Sequence, residues 1–292
     1  MAKLLLGKAV TDALNGQLQN RTAALREKGI VPTLGIIRVG ENPSDLSYEK
    51  GALKRAELVG VEVKRFELPE NASKEDVEAL IDRVNRDDTI HGVLMFQPFP
   101  KHLRSCQSEL CNRLDPKKDM DCLTDLSCSG VYQSRDDLGY PPCTPAACME
   151  ILDHYGIDCA GKSAVILGRS MVVGKPAAMM LLKKNATVTV CHTKTVNTAE
   201  ICRNADIIVS SAGVLNSLPA EFVRPGQVVI DVSINWDENK PNSRGGMGAI
   251  AGDAKFEEVE PIVEAITPVP GGVGAVTTSV LMKHVVEAAE KI

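Results

Sequence analysis

The sequence predicts an α/β protein of two lobes. Three observations carry that reading. The chain has 292 residues, more than one small hydrophobic core usually serves. Short β-branched runs alternate with longer stretches at helical spacing, first over residues 33–96 and again over 163–231. That is the pattern of largely parallel sheets with helices on their faces. Between the two series lies a polar, Asp-rich stretch, Leu114–Tyr140, which runs into Pro141-Pro142-Cys143-Thr144-Pro145. It reads as a functional loop leading to a lobe junction, so the expected division falls between 1–142 and the chain from 143 onward.

In order along the chain, the first series is a strand over Thr33–Val39, a helix near Ser44–Val59, a strand over Val61–Leu68, a helix near Ser73–Asn85 and a strand over Gly92–Phe96. The second is a strand over Ser163–Leu167, a helix from about Lys175 to Lys184, Thr187–Cys191, a helix near Thr198–Asn204, then strands at Ile207–Ser210 and Val228–Asp231. Gly245-Gly246-Met247-Gly248 reads as a surface turn. A last helix is expected from about Thr277, because Val280, Leu281, His284, Val285 and Ala288 recur at helical spacing.

Apolar residues make up 44% and charged residues 24%, an ordinary globular composition. The net charge is -5, and acidic and basic residues are interspersed, so no basic stripe offers itself to a nucleic acid. A small-molecule partner is favoured. Nine cysteines without any Cys-x-x-Cys pair indicate neither a zinc ribbon nor a redox dithiol; they read as small buried hydrophobes in a reducing compartment, and no metal is expected. The N-terminal apolar run is too short for a secretion signal, and no stretch approaches the roughly 20 apolar residues of a membrane span. A cytoplasmic protein without membrane partners is the expectation.

The strand Ser163–Leu167 runs directly into Gly168-Arg169-Ser170-Met171-Val172-Val173-Gly174-Lys175-Pro176 and an apolar helix. A glycine-bearing turn between strand and helix lets backbone amides face a phosphate. The pattern departs from G-x-G-x-x-G, since Ser170 takes the second glycine's place and the last glycine falls at 174. By pattern alone, nucleotide binding and a plain strand–turn–helix both stay open. A nucleophile elbow is excluded because position 172 is Val. The next strand ends Val190-Cys191-His192-Thr193-Lys194, with no carboxylate for ribose hydroxyls, whereas Arg169, Thr193 and Lys194 suit a 2′-phosphate. NADP is favoured over NAD, against the plainer reading of His192 and Lys194 as solvated loop residues.

With that loop in place, the chain resembles the methylenetetrahydrofolate dehydrogenase/methenyltetrahydrofolate cyclohydrolase family. The matching segments are Tyr48, Gly92-Val93-Leu94 with Pro98-Phe99-Pro100, Lys118-Asp119-Met120-Asp121, Cys143-Thr144-Pro145, Gly168 to Pro176, Asp231-Val232-Ser233-Ile234-Asn235, Gly252-Asp253 and Pro268 to Gly274. They span nearly the whole chain in the family's order. The resemblance implies an N-terminal α/β lobe and a Rossmann-like NADP-binding lobe with a cleft between them. It also implies that residues 270–292, with the C-terminal helix, return to complete the first lobe, leaving 143–269 as the cofactor lobe, and that a homodimer forms through the cofactor lobes. It implies tetrahydrofolate carrying a one-carbon bridge as substrate. It places Gly168, Arg169, Ser170, Gly174, Thr193, Ser211 and Ile234 against NADP, and Tyr48, Asp121, Pro270, Gly271, Gly272 and Thr277 against the folate, with Tyr48 and Asp121 as the catalytic pair. Taken singly each residue has a plainer reading: a core tyrosine, a turn aspartate, a turn of proline and glycines.

The sequence also departs from the family. The family's helix carries Tyr-x-x-x-Lys, one turn apart on one face, but here the run is Tyr48-Glu49-Lys50-Gly51-Ala52 and Ala52 holds the lysine position. Lys50 lies about 160° away from the required face at 3.6 residues per turn, and Arg55 returns to it about 10 Å further along. The family's Val-Gln-Leu-Pro-Leu-Pro strand reads Met95-Phe96-Gln97-Pro98-Phe99-Pro100, so Phe96 replaces the glutamine and Gln97 points to the opposite side.

Oxidising the methylene bridge needs the donor carbon oriented against the acceptor ring and no obligatory protein base. Hydrolysing the methenyl product needs a positioned acid/base. The expectation is therefore an NADP-dependent dehydrogenase with cyclohydrolase activity absent or very weak. The alternatives are a fully bifunctional enzyme with Lys50 or Lys54 recruited, a shikimate-type dehydrogenase sharing the two-lobe plan, and a non-catalytic folate- or nucleotide-binding protein.

Overall fold

The computed structural model describes residues 1–242 and 246–291. They divide into two compact units, one of Asp12–Cys143 and Thr278–Ile292, the other of Met1–Thr11 and Thr144–Thr277. The division departs from the expected boundaries at two segments, because Met1–Thr11 and residues 270–277 belong with the second unit. Backbone pairing is the reason: Lys3 and Leu4 run parallel to Ala265 and Ile266, and Gly7 N donates to Gly271 O at 2.8 Å.

In chain order the elements are β1 (Lys3–Leu4), α1 (Gly7–Glu27), β2 (Thr33–Val39), α2 (Pro43–Val59), β3 (Glu62–Leu68), α3 (Lys74–Arg86), β4 (Gly92–Met95), α4 (Gln107–Asn112), α5 (Asp125–Gln133) and α6 (Cys143–His154). There follow β5 (Ser163–Leu167), α7 (Gly174–Lys183), β6 (Thr187–Cys191), α8 (Thr198–Arg203), β7 (Ile207–Ser210), β8 (Val228–Asp231), β9 (Asn235–Pro241), β10 (Met247–Ala251), α9 (Phe256–Val259), β11 (Ala265–Ile266) and α10 (Thr277–Ala289).

The first unit is built on a three-stranded parallel sheet in the order β3-β2-β4. Every residue of the central strand β2 is buried, as a strand covered on both faces requires. Val77, Leu80, Ile81 and Val84 form the buried stripe of α3 and join Ile37, Val93, Met95 and Phe99 in one core. Ser73 and Asp76 close a reciprocal capping box that starts α3. On α2, Asn42 Oδ1 accepts from Ser44 N, Pro43 occupies the first turn, and Gly60 ends the helix in the left-handed region at φ 78°. Along α10, Val280, Leu281, His284, Val285 and Ala288 are all buried.

Three local expectations are corrected. Leu114–Tyr140 is not loop throughout: it contains a single 3₁₀ turn at Pro116–Lys118 and the helix α5. Thr124 caps α5 by accepting from Ser127 N, and a short helix held by its cap and by packing leaves little apolar periodicity to read. The proline-rich run ends inside α6, where Pro145 sits in the first turn and its missing N–H removes no intrahelical bond. Helix α1 escaped the reading because its buried face includes Thr11, Asn15 and Thr22, which break the apolar repeat.

The second unit holds a six-stranded sheet, order β1-β11-β8-β7-β5-β6, parallel throughout, and an antiparallel β9/β10 pair. Met247 and Gly248, expected in a surface turn, lie in β10 at a register irregularity, while Gly245 lies outside the described residues. Gly248 has φ 92°, and a Cβ there would stand 2.6 Å from the Trp236 ring. No helix among the described residues is long and apolar enough to cross a membrane.

Candidate functional site

Strand register brings the expected cofactor residues together. Leu167 pairs with Cys191 and with Ser210, and Ser210 pairs with Asp231, so β5, β6, β7 and β8 end at one level. The segments 168–174, 192–195, 211–214 and 232–235 therefore leave from one edge, and they carry Gly168, Arg169, Ser170, Gly174, Thr193, Ser211 and Ile234. Strand β5 stands between β6 and β7, where successive connections run in opposite directions and open a crevice.

Two glycines shape the first of these segments. Gly168 has φ 116°, and a Cβ there would lie 2.4 Å from Ser211 O; one at Gly174 would lie 2.4 Å from Gly168 O. Ser170 Oγ accepts from Val173 N and Gly174 N, and Ser211 Oγ donates to Leu167 O at 3.0 Å. These hydroxyls hold the turn at the start of α7. Arg169, Thr193 and Lys194 are exposed at the same edge, and Lys194 N donates to His192 Nδ1. Backbone free of side chains beside exposed cations suits a dinucleotide phosphate.

The sequence reading missed the group that organises this edge. Asp253 is fully buried. Its Oδ2 accepts from Ser210 Oγ, Ala212 N, Gly213 N and Ser233 Oγ, and its Oδ1 from Val214 N and Asn235 Nδ2. One carboxylate thus ties the segment after β7, which carries Ser211, to the segment after β8, which carries Ile234. Asp231 supports it by accepting from Asp253 N and Ala254 N, and burial pushes the Asp231 carboxyl up to about 6. A Cβ at Gly252 would stand 2.0 Å from Asp231 Oδ2, so only glycine fits. The signal was present as Gly252-Asp253, a glycine and a carboxylate directly after a short strand.

The expected folate residues fall in both units. In the second, Pro270 and Gly271 are exposed and Gly272 is buried. Gly271 has φ 103°, and a Cβ at Gly272 would lie 2.6 Å from Pro268 O. Thr277 is buried, with its hydroxyl donating to Gly274 O at 3.2 Å, so it serves the start of α10.

In the first unit, α2 presents Glu49, Ala52, Ala56 and Val59 as its buried stripe. Arg38 Nε meets Glu49 Oε2 at 3.0 Å with both side chains 5% exposed, which fixes the rotation of the helix about its axis. Ala52 consequently faces inward at 0% exposure, whereas Lys50 and Lys54 are exposed. Arg55 Nε reaches Thr278 Oγ1 at 3.5 Å. Tyr48 and Phe96 are brought together edge to face, ring centroids 6.1 Å apart at 85°. Gln97 turns the other way: it donates to Cys111 Sγ and accepts from Gln107 Nε2.

Asp121 is held from two sides. Its Oδ1 accepts from Cys143 N at 2.7 Å, and the preceding Met120 carbonyl accepts from Cys143 Sγ and His284 Nδ1. Desolvation pushes the Asp121 carboxyl up to about 6, against the opposing Cys143 bonds. Lys118, from the same motif, has a structural post: its Nζ donates to the Val84, Asn85 and Asp87 carbonyls, each at 2.9 Å.

Burial lowers the His284 imidazole to about 4, so the native state holds it neutral while an unfolded chain protonates it near 6.5. A depressed folded value means its contribution is whole above pH 6.5 and is lost as pH falls toward 4. The expected loss across that window is roughly 3 kcal/mol. Asp121 and Asp231, raised to about 6, act in the opposite direction over the same window, so the His284 contribution is read as a difference: in urea unfolding, the stability of His284→Gln relative to the parent chain should rise as pH falls from 6.5 to 4.

The fold and the strand-end edge define a nucleotide-binding α/β protein with a Rossmann-like unit. Two family models match the chain: Tetrahydrofolate dehydrogenase/cyclohydrolase, catalytic domain, over residues 5–121, and its NAD(P)-binding domain over residues 142–292. The chain belongs to the tetrahydrofolate dehydrogenase/cyclohydrolase family. It is 50% identical to the bifunctional protein FolD of Carboxydothermus hydrogenoformans over 290 residues, 99% of this chain and 98% of that protein. It is 43% identical to the bifunctional protein FolD of Clostridium botulinum, covering 100% of this chain and 99% of that protein. Among solved structures, the bifunctional FolD of Campylobacter jejuni superposes with a TM-score of 0.92 at 37% identity, covering 100% of this chain and 99% of that one. The Trypanosoma brucei dehydrogenase-cyclohydrolase, complexed with NADP cofactor and inhibitor, gives 0.90 at 32% identity, covering 99% of this chain and 98% of that one. A shikimate dehydrogenase of Aquifex aeolicus, at 12% identity and TM-score 0.51, shares the fold alone.

Proposed function

We propose that the chain oxidises 5,10-methylenetetrahydrofolate to 5,10-methenyltetrahydrofolate with NADP as hydride acceptor. The observation that carries this is the strand-end edge, where Gly168 and Gly174 clear backbone for a phosphate and Arg169, Thr193 and Lys194 stand exposed where an NAD site would carry a carboxylate. Bound there, NADP supplies the ring that takes the hydride. Arg169 and Lys194 bind the 2′-phosphate, and the Asp253-tied segments position the ring through Ser211 and Ile234. Tyr48 stacks on the folate, Asp121 hydrogen-bonds its pterin, and Pro270–Gly272 admits close backbone approach. The Arg169→Ala, Lys194→Ala double variant is expected to raise KM for NADP about tenfold and leave that for NAD unchanged. Equal effects on both cofactors would count against this placement.

The names of the relatives favour the bifunctional reading, hydrolysis onward to 10-formyltetrahydrofolate, over the expectation that this activity is missing. One observation favours the dehydrogenase-only reading: Ala52 and Phe96 offer no proton-transfer group, and Lys50 and Lys54 lie off the buried stripe. Assaying both reactions on one preparation decides between them. Comparable rates establish the bifunctional enzyme; oxidation without hydrolysis establishes the narrower one.

Self-association through the second unit completes the reading. The exposed apolar side chains of Trp236 and Met247, 63% and 64% accessible, support it, and sedimentation at the monomer mass would remove it.

A further inference from the structure

Cysteine spacing alone gave no reason to expect a dithiol, yet the fold brings two thiols into contact. Cys122 Sγ and Cys128 Sγ lie 3.7 Å apart, the one pair of cysteine thiols joined by a hydrogen bond among the described residues. Cys122 follows Asp121 directly, is buried, and holds φ 60°, a left-handed conformation that glycine would adopt without strain. Cys128 stands in the first turns of α5 and is half-buried. We propose that Cys122 and Cys128 form a redox-active dithiol that small disulfides convert reversibly into an intramolecular disulfide.

The two sulfurs have distinct roles. Cys128 is the more accessible, and the Cys122 S–H that donates to it holds its thiol below the ordinary value. The same bond, with burial, raises Cys122. The thiolate of Cys128 attacks one sulfur of a small disulfide, forming a mixed disulfide and expelling one thiolate. Cys122 then gives up its proton to solvent and attacks the Cys128 sulfur, expelling the second thiolate. Two protein thiols are oxidised, one small disulfide is reduced to two thiols, and both protons end on the leaving groups. Closing the sulfurs from contact to bonding distance takes a shift of about 1.7 Å, which falls to residues 122–124, the segment that leads into α5.

The test treats the folded protein with oxidised glutathione, blocks free thiols under denaturing conditions and maps the peptides by mass. The expected product is a 122–128 linkage, lighter by two hydrogens and reversed by dithiothreitol. Cys122→Gly, which suits the left-handed backbone, should instead accumulate glutathione on Cys128. Cys128→Ser should not react at this site. A stable mixed disulfide on Cys128 in the unmodified sequence, or no reaction at either cysteine while Cys106 reacts, would overturn the proposal.

Discussion

The Ala52→Lys, Phe96→Gln double variant is expected to hydrolyse methenyltetrahydrofolate about 100-fold faster than the parent chain, the usual contribution of one positioned acid/base. Ala52 lies on the buried stripe of α2, one turn after Tyr48. A lysine there inherits a rotation already fixed by Arg38 and Glu49. Its desolvation would lower the ammonium pKa toward neutrality, where a proton shuttle works best. Phe96 packs edge to face on Tyr48, and a glutamine in its place would put a hydrogen-bonding amide beside the new amine. The dehydrogenase rate should change little, since hydride transfer asks for orientation only. The variant should lose about 1–3 kcal/mol of stability from overpacking a site with no room. If the parent chain already hydrolyses at its dehydrogenase rate, the double variant gains nothing, and the proton transfer belongs to groups other than these two.

Asp253→Ala is expected to destabilise the second unit by about 3–5 kcal/mol, the range for removing one side of a buried charge network. Six donors lose their acceptor at once, and those that stay buried carry a desolvation cost. The single tryptophan, Trp236, lies in this unit, so its fluorescence follows the unfolding of that unit in urea. Under conditions where the variant remains folded, KM for NADP should rise about tenfold, because the segments bearing Ser211 and Ile234 are no longer fixed. A variant with parental stability and KM would show that the six bonds are incidental.

Most parallel strands were legible because burial on both faces writes itself as β-branched runs: β2, β5, β7 and β8 fall where the pattern put them, and the largely exposed edge strand β6 does so through its β-branched residues alone. So was the glycine turn before α7, because backbone demands leave a residue type behind. Helices whose inward faces carry polar groups were not legible. Buried Thr11 and Asn15 hid α1, and capping by Thr124 made α5 where periodicity showed nothing. The candidate site divides the same way. Residues on a strand-end loop could be placed by motif, whereas the role of Asp253 comes from donors spread over residues 210–235, a convergence that only the folded chain displays. The Cys122–Cys128 contact is of that kind too, since no Cys-x-x-Cys spacing announces it.

Lys118 shows what a conspicuous motif residue can be for. Its ammonium carries three protons, and three carbonyls at the end of α3 take one each. All three N–H bonds are engaged within the fold, so a reagent meets this nitrogen only when the segment opens. Amine-directed reagents should label the exposed Lys50 and Lys54 long before Lys118, and the onset of Lys118 labelling becomes a clock for local opening of the segment that presents Asp121. Arginine would keep the charge and lose the fit, because a planar fork cannot aim at three converging oxygens.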